Sequence, residues 1–156
     1  LSQEQPAASA IFDVQTRPFA PTLSAGQTLR FNLRANPTVC KNGKRHDLLM
    51  EAKRQRKTQG DSQDIWSYQQ QAALTWLARQ GEQNGFTLRE ASVDAYRQQQ
   101  IRRGKDRQMI QFSSVDYTGV LVINEPALFL QRLAQGFGKS RAFGCGMMMI
   151  KPGDDA

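Results

Sequence analysis

The sequence is poorest in the residues that bind metals and form cross-links. It contains one histidine and two cysteines, too few N and S donors for a tetrahedral metal site, so neither a metal nor a cofactor is expected. Cys40 and Cys145 lie far apart. With no basic-then-apolar leader in the sequence, they are expected as free thiols in a reducing cytoplasm. No apolar run approaches the roughly 18 residues of a spanning helix, and no membrane partner is expected. Acidic residues are also short: 14 Asp and Glu stand against 21 Lys and Arg, a net charge of +7. That imbalance points to a polyanion, nucleic acid ahead of an acidic membrane or protein. A membrane surface is set aside because the basic residues fall outside any amphipathic helix recognisable in the sequence. The first residue is Leu1 and the first methionine Met50, so the chain is expected to be a piece of a longer protein. Its 156 residues suit one domain, or one domain plus part of another.

What is present reads in order. Ile11 to Val14 can form a strand. Residues 16–27 carry Pro18, Pro21 and Gly26 and mark a boundary. From Thr28 to Ala35 the chain alternates: Leu29, Phe31, Leu33 and Ala35 fall on one face, Arg30, Asn32 and Arg34 on the other. Asn36-Pro37 ends that strand. A helix is predicted from Asp64, its N-cap, to Gln80, closed by Gly81, with Trp66 and Trp76 as core or domain-packing residues. Strands follow over Phe86–Ala95 and Gln108–Ile123, with a bulge expected where the phase slips at Ser113-Ser114. Asn124 caps a further helix with Pro126 in its first turn and Ala127, Leu130, Leu133 and Ala134 on its apolar face. Met147 to Ile150 make a last strand. Strand, helix, strand, strand, helix, strand is the α+β, ferredoxin-like (RRM-like) βαββαβ arrangement. The aromatic signature of the RRM is absent, so RNA would be met by loops and hairpins rather than by stacking on the sheet.

Three segments carry candidate chemistry. Residues 41–57 hold seven Lys and Arg against Asp47 and Glu51 and read as a turn at Gly43, before Lys44-Arg45, within a solvated basic loop. A lone histidine can act as a base, but His46 has no partner nearby in sequence. Residues 97–107 form a second cluster, with Arg97, Arg102, Arg103, Lys105 and Arg107 around Gly104. Flanked by strands, it would tip a β-hairpin suited to probing a nucleic-acid groove. The third is Gly136-Phe137-Gly138-Lys139-Ser140-Arg141-Ala142-Phe143-Gly144-Cys145-Gly146. Lys139 and Arg141 could touch phosphate there. Equally, Gly136 could simply cap a helix, or the loop could pack on its own fold. A P-loop is excluded, because position 133 is Leu133 and a helix precedes the motif.

Leu29-Arg30-Phe31-Asn32-Leu33-Arg34-Ala35-Asn36-Pro37, Gly43-Lys44-Arg45, Trp76-Leu77 and the stretch from Gly136 to Gly146, in that order, resemble the CasE family of CRISPR-associated endoribonucleases. The resemblance implies two ferredoxin-like domains in tandem, of which this chain is the C-terminal half. Residues 1–20 would be a remnant of the first domain, 21–27 a linker, 28–152 the second domain and 153–156 a tail. It implies a metal-independent endoribonuclease that binds and cleaves the CRISPR repeat RNA hairpin to give mature crRNA, alongside other Cascade subunits. The family's catalytic histidine and a nearby tyrosine belong to the missing part of the first domain, and His46 does not match that position. By motif, Lys105 would stabilise charge at the scissile phosphate. Arg30, Arg34, Lys44, Arg45, Arg102, Arg103, Arg107, Lys139 and Arg141 would contact RNA. The alternative is a non-catalytic RNA-binding or structural subunit of a ribonucleoprotein.

Overall fold

The computed structural model describes residues 22–60, 64–103, 108–140 and 144–153, with 101–103 and 108–110 described by backbone alone. The strand expected at Ile11–Val14 and the first-domain remnant lie outside these residues, as do Gly104, Lys105, Arg107 and Arg141. Nine elements follow one another: β1 (Thr28–Ala35), β2 (Thr38–Lys41), β3 (Lys44–Asp47), α1 (Leu48–Thr58), α2 (Ile65–Asn84), β4 (Phe86–Arg103), β5 (Gln108–Ile123), α3 (Pro126–Gln135) and β6 (Met148–Pro152). The main sheet runs β4-β5-β1-β6, and β2 pairs with β3 in a separate ribbon. Its neighbours are all antiparallel. With the β2–β3–α1 insertion set aside, this is the ferredoxin-like order, with β1 and β5 in the centre.

The alternation of β1 decides which face is buried. Leu29, Phe31, Leu33 and Ala35 are buried while Arg30, Asn32 and Arg34 are exposed. The apolar side meets Val115, Tyr117, Leu121 and Ile123 of β5 and Ala73 and Leu77 of α2 in one core. Phe86 is a hub within it. Its ring meets Phe129 of α3 edge-on at 5.6 Å and Phe137 of the following loop at 5.9 Å, the geometry aromatic quadrupoles favour. The buried Tyr117 hydroxyl donates to the Ala73 carbonyl at 2.9 Å. Burial pushes that phenol well above its ordinary pKa, so it stays a donor.

Several boundaries differ from expectation, each for a physical reason. Gly81 does not end α2; the helix runs to Asn84 and closes on Gly85 at φ +80°. Gly81 lies where the helix crosses Phe86, and a side chain there would overlap the Phe86 carbonyl. Asp64 is the N-cap of α2 as expected, but it is left-handed and its side chain makes no capping bond; the carboxylate accepts from the Ser67 hydroxyl instead. Glu125, not Asn124, is the N-cap of α3, because Asn124 donates to Thr87 of β4. The buried residues of α3 are Phe129 and Leu133, whereas Ala127 and Ala134 are exposed. Trp66 is 40% exposed and so is not a core residue; Trp76 stacks on Tyr117. The register shifts fall in β4, at Leu88/Glu90 and Val93/Ala95, and not at Ser113-Ser114. Ser113 and Ser114 are instead buried in a regular stretch of β5. β4 also continues past Ala95 to Arg103, and the last strand is Met148–Pro152.

Gly81 sets helix propensity against packing. Alanine is favoured over glycine inside a helix by about 1 kcal/mol, but overpacking costs about 1–3 kcal/mol. Packing wins here, because the obstacle is backbone and cannot swing aside. Gly81→Ala is therefore expected to lower the midpoint of denaturant unfolding; a raised midpoint would contradict this packing.

Candidate nucleic-acid interface

The segment read as a solvated basic loop is ordered structure. Asn42 and Gly43 have φ of +54° and +75°, the two left-handed residues of a tight two-residue hairpin turn. They join β2 to β3 with Lys41 opposite Lys44 and Cys40 opposite Arg45. Asp47 then starts α1: its Oδ1 accepts from the Leu49 and Met50 amides at 2.9 and 3.4 Å, a cap worth about 1 kcal/mol. Its Oδ2 accepts from the Tyr96 hydroxyl on β4 at 2.8 Å. Burial first, and also this bond to Asp47, raise the Tyr96 pKa above the usual phenol value. Leu49 and Ala52 of α1 are buried, and Gln69 of α2 donates to the Leu49 carbonyl at 2.8 Å. Arg56 lies over the Tyr68 ring at 5.4 Å. The basic residues Lys53, Arg54, Arg56 and Lys57 thus sit on a helix, contrary to expectation. Its apolar side is spent on packing, leaving no broad apolar face for a bilayer.

The insertion and the long β4–β5 hairpin face each other across a cleft of about 570 Å³. One wall is Thr38, Arg45, His46 and Asp47. The other is Gln98, Gln99, Gln100, Gln111, Phe112 and Ser113, and Asn36, Lys139 and Ser140 close the end. The wall of β4 and β5 is mainly amide and hydroxyl, able to donate and accept; the cations Arg45 and Lys139 come from two other segments. The glycine-rich loop is shaped by its own packing. Gly138, at φ +79°, lies against Trp76, so that a side chain would come within 3.2 Å of the indole and 3.3 Å of the Asn36 carbonyl. Asn36 donates to the Ser140 hydroxyl at 2.7 Å, and the Gly146 amide donates to the Arg34 carbonyl at 2.6 Å. The loop is thereby pinned to the end of β1, with Lys139 exposed at the cleft. Gly136 has φ +90° and ψ +166°, which is not the left-handed helical cap.

The candidate RNA contacts divide into groups. Arg45 and Lys139 line one cleft, with Lys44 exposed beside them on β3. Arg30 and Arg34 lie on the outer face of β1 instead. Arg34 is committed to Asp116: its Nε and Nη2 donate to the two carboxylate oxygens at 2.8 and 3.3 Å. That pair raises the Arg34 pKa still further. Its Nε–Nη2 edge is thus occupied by Asp116. Arg102 and Arg103 extend β4, opposite Met109 and Gln108. Lys105, Arg107 and Arg141 lie outside the described residues. Among the described residues no three of His, Cys, Asp and Glu come together as metal ligands, and no helix is long and apolar enough to cross a membrane.

A family model described as "CRISPR associated protein" matches residues 1–152. The chain belongs to that family. The Thermus thermophilus protein named CRISPR-associated endoribonuclease Cse3 is 30% identical over 148 residues, covering 87% of this chain and 61% of that protein. The Escherichia coli K12 protein named CRISPR system Cascade subunit CasE is 27% identical over 154 residues, 97% of this chain and 72% of that one. Among solved structures, CRISPR endoribonuclease Cse3 bound to a 19-nucleotide RNA has a TM-score of 0.67 at 28% identity, covering 87% of this chain and 61% of that one. The chain therefore spans about 61% of the length of the Thermus relative.

Sequence reasoning missed the β2–β3 ribbon, α1 and the glutamine wall of this family member. The signal for the ribbon was there in Asn42-Gly43, the strongest short hairpin pair. The signal for α1 was Asp47 ahead of Leu48, Leu49 and Ala52. The amide wall carried none, since glutamine on a strand is ordinarily solvated.

Two predictions follow from this site's chemistry. Glu51, its side chain 8% exposed, accepts from Lys41 at 2.8 Å and from Arg54 at 3.0 Å, tying the ribbon to α1. The Lys41 bond foremost, then the Arg54 bond, lower its carboxyl pKa. A lowered carboxyl pKa stabilises the fold above the ordinary value of about 4.3 and loses that contribution as pH falls through the folded-state value. Wild type should therefore melt above Glu51→Gln at neutral pH, with the gap closing on acidification below about pH 4; a pH-independent gap would refute the tie. Cys145 is buried, and burial pushes its thiol pKa up despite the opposing pull of Arg34. Cys40 is exposed. Mass spectrometry after iodoacetamide treatment should find Cys40 alkylated in the folded protein and Cys145 only after unfolding.

Proposed function

We propose that this protein binds a CRISPR repeat RNA hairpin and cleaves it without a metal to give mature crRNA, in the cytoplasm and together with other Cascade subunits. The unit from β1 to β6 is the RNA-gripping C-terminal half of a tandem pair. The observation that carries this reading is the cleft between two β-hairpins, where Arg45 and Lys139 converge on a wall of amides and hydroxyls, in a chain of the CRISPR associated protein family. A-form RNA stems are recognised through phosphate, 2′-hydroxyl and shape contacts, and cations combined with neutral donors and acceptors suit that task. Lys44 adds charge beside the cleft, and Arg102 and Arg103 lead towards the tip of the second hairpin.

In the proposed reaction the 2′-hydroxyl upstream of the scissile bond attacks the phosphate. It loses its proton to a base, the 5′-oxygen leaves as it takes a proton from an acid, and a cyclic phosphate remains. The base belongs to the N-terminal half. Lys105 supplies positive charge to the phosphorane oxygens, where one such group is worth on the order of 100-fold or more in rate. Arg107 and Arg141 add phosphate contacts.

The decisive experiment is cleavage of a labelled repeat-hairpin RNA in EDTA. This chain would be run beside the same chain extended N-terminally to the length of its Thermus relative. The extended chain should cut and the shorter one should only bind. Lys105→Ala in the extended chain should lower cleavage at least about 100-fold with binding retained. With about five phosphate contacts, log K should fall against log salt with a slope of roughly −3.5 to −4.5. Binding by neither chain would overturn the reading. Cutting by the short chain would place the base within it, and binding without cutting by the extended chain would make the protein a non-catalytic RNA-binding subunit.

A further inference from the structure

Beside the cleft, and sharing His46 and Asp47 with it, a second depression of about 410 Å³ runs along α1 past Met50, Lys53, Arg54 and Lys57. Met50 is 42% exposed and is steadied by the Gln98 amide of β4, 3.5 Å from its sulfur. It forms an apolar floor on a helix that is otherwise polar on this side. Of the two acids nearby, Glu51 is paired with Lys41 and Arg54, while Asp47 keeps its charge and is outnumbered by Lys53 and Lys57. Asp47 is used by the α1 cap and by Tyr96. Lys53 and Lys57 stand one helical turn apart, and neither makes an ion pair among the described residues.

A polarisable thioether floor beneath two uncommitted ammonium groups fits one nucleotide rather than a duplex. The base would rest on Met50 and the flanking phosphates would meet Lys53 and Lys57. We propose that this groove holds unpaired RNA that flanks the hairpin, taking the strand past His46 as it leaves the cleft. The inference rests on the reading of the cleft as the hairpin site, and extends the RNA path onto α1.

The test is fluorescence anisotropy on the full-length protein with three RNAs: the bare repeat hairpin and the hairpin with a short unpaired flank on its 5′ or its 3′ side. Wild type should bind one flanked RNA more tightly than the bare hairpin, with a salt slope steeper by about 1.4, as two single-strand phosphate contacts require. Lys53→Gln/Lys57→Gln should remove that extra affinity and extra slope while leaving the bare hairpin's affinity unchanged. Met50→Ala should reduce the gain without changing the slope. Thermal melting confirms that these surface variants are folded. No gain from either flank, or equal weakening of bare and flanked RNA in the lysine variant, would overturn the groove while leaving the cleft standing. Failure of wild type to bind the bare hairpin would overturn both.

Discussion

One carboxylate ties the insertion to the long hairpin. Asp47 bonds the first amides of α1 with one oxygen and the Tyr96 hydroxyl of β4 with the other. The insertion and the long hairpin are therefore referred to the same point. Without it, α1 would lose its cap and the insertion its bond to Tyr96 of β4. The insertion also meets β4 where the Gln98 amide donates to the Met50 sulfur, and α2 through Leu49 and Gln69. The insertion is thus clamped between the sheet's long hairpin and one of its covering helices.

The charge of this protein is better understood as two populations. Some cations are internal fasteners: Arg34 with Asp116, Lys41 and Arg54 with Glu51, Arg56 over Tyr68. Such groups keep their charge while part of their hydrogen-bonding capacity is used within the fold. Others, Lys44, Arg45, Lys53, Lys57 and Lys139, make no ion pair among the described residues. They lie along the ribbon, the exposed side of α1 and the end of the glycine-rich loop. Arg45 and Lys139 line the cleft with Lys44 beside them, while Lys53 and Lys57 line the neighbouring groove of α1.

The glycine-rich stretch shows how packing can leave a single cation exposed. Gly138 is glycine because Trp76 and the Asn36 carbonyl leave no room for a side chain. Phe137 is buried against Phe86. Between Gly138 and the Asn36–Ser140 bond, Lys139 is the residue left facing out. The loop's own packing positions the cation.

The ferredoxin-like order, the face of β1 and the presence of α2 and α3 were legible in the sequence, because each rests on a local period. Alternation at Leu29, Phe31, Leu33 and Ala35 has only one burial solution, and Gly43 already marked a turn. The overall basic character also needs only counting. What tertiary structure decided is every feature that depends on residues distant in the chain. Arg34 pairs with Asp116 only because β1 and β5 bring the two opposite each other. Gly81 looks like a helix end until Phe86 is found beneath it. Asp47 lies 49 residues from Tyr96, and no local pattern announces that bond. The amino-acid sequence determined the elements and the sign of the charge, since these follow from near neighbours and composition. Which cations are spent on the fold and which are left for a ligand was decided only when the chain closed on itself, because an ion pair is a matter of distance in space.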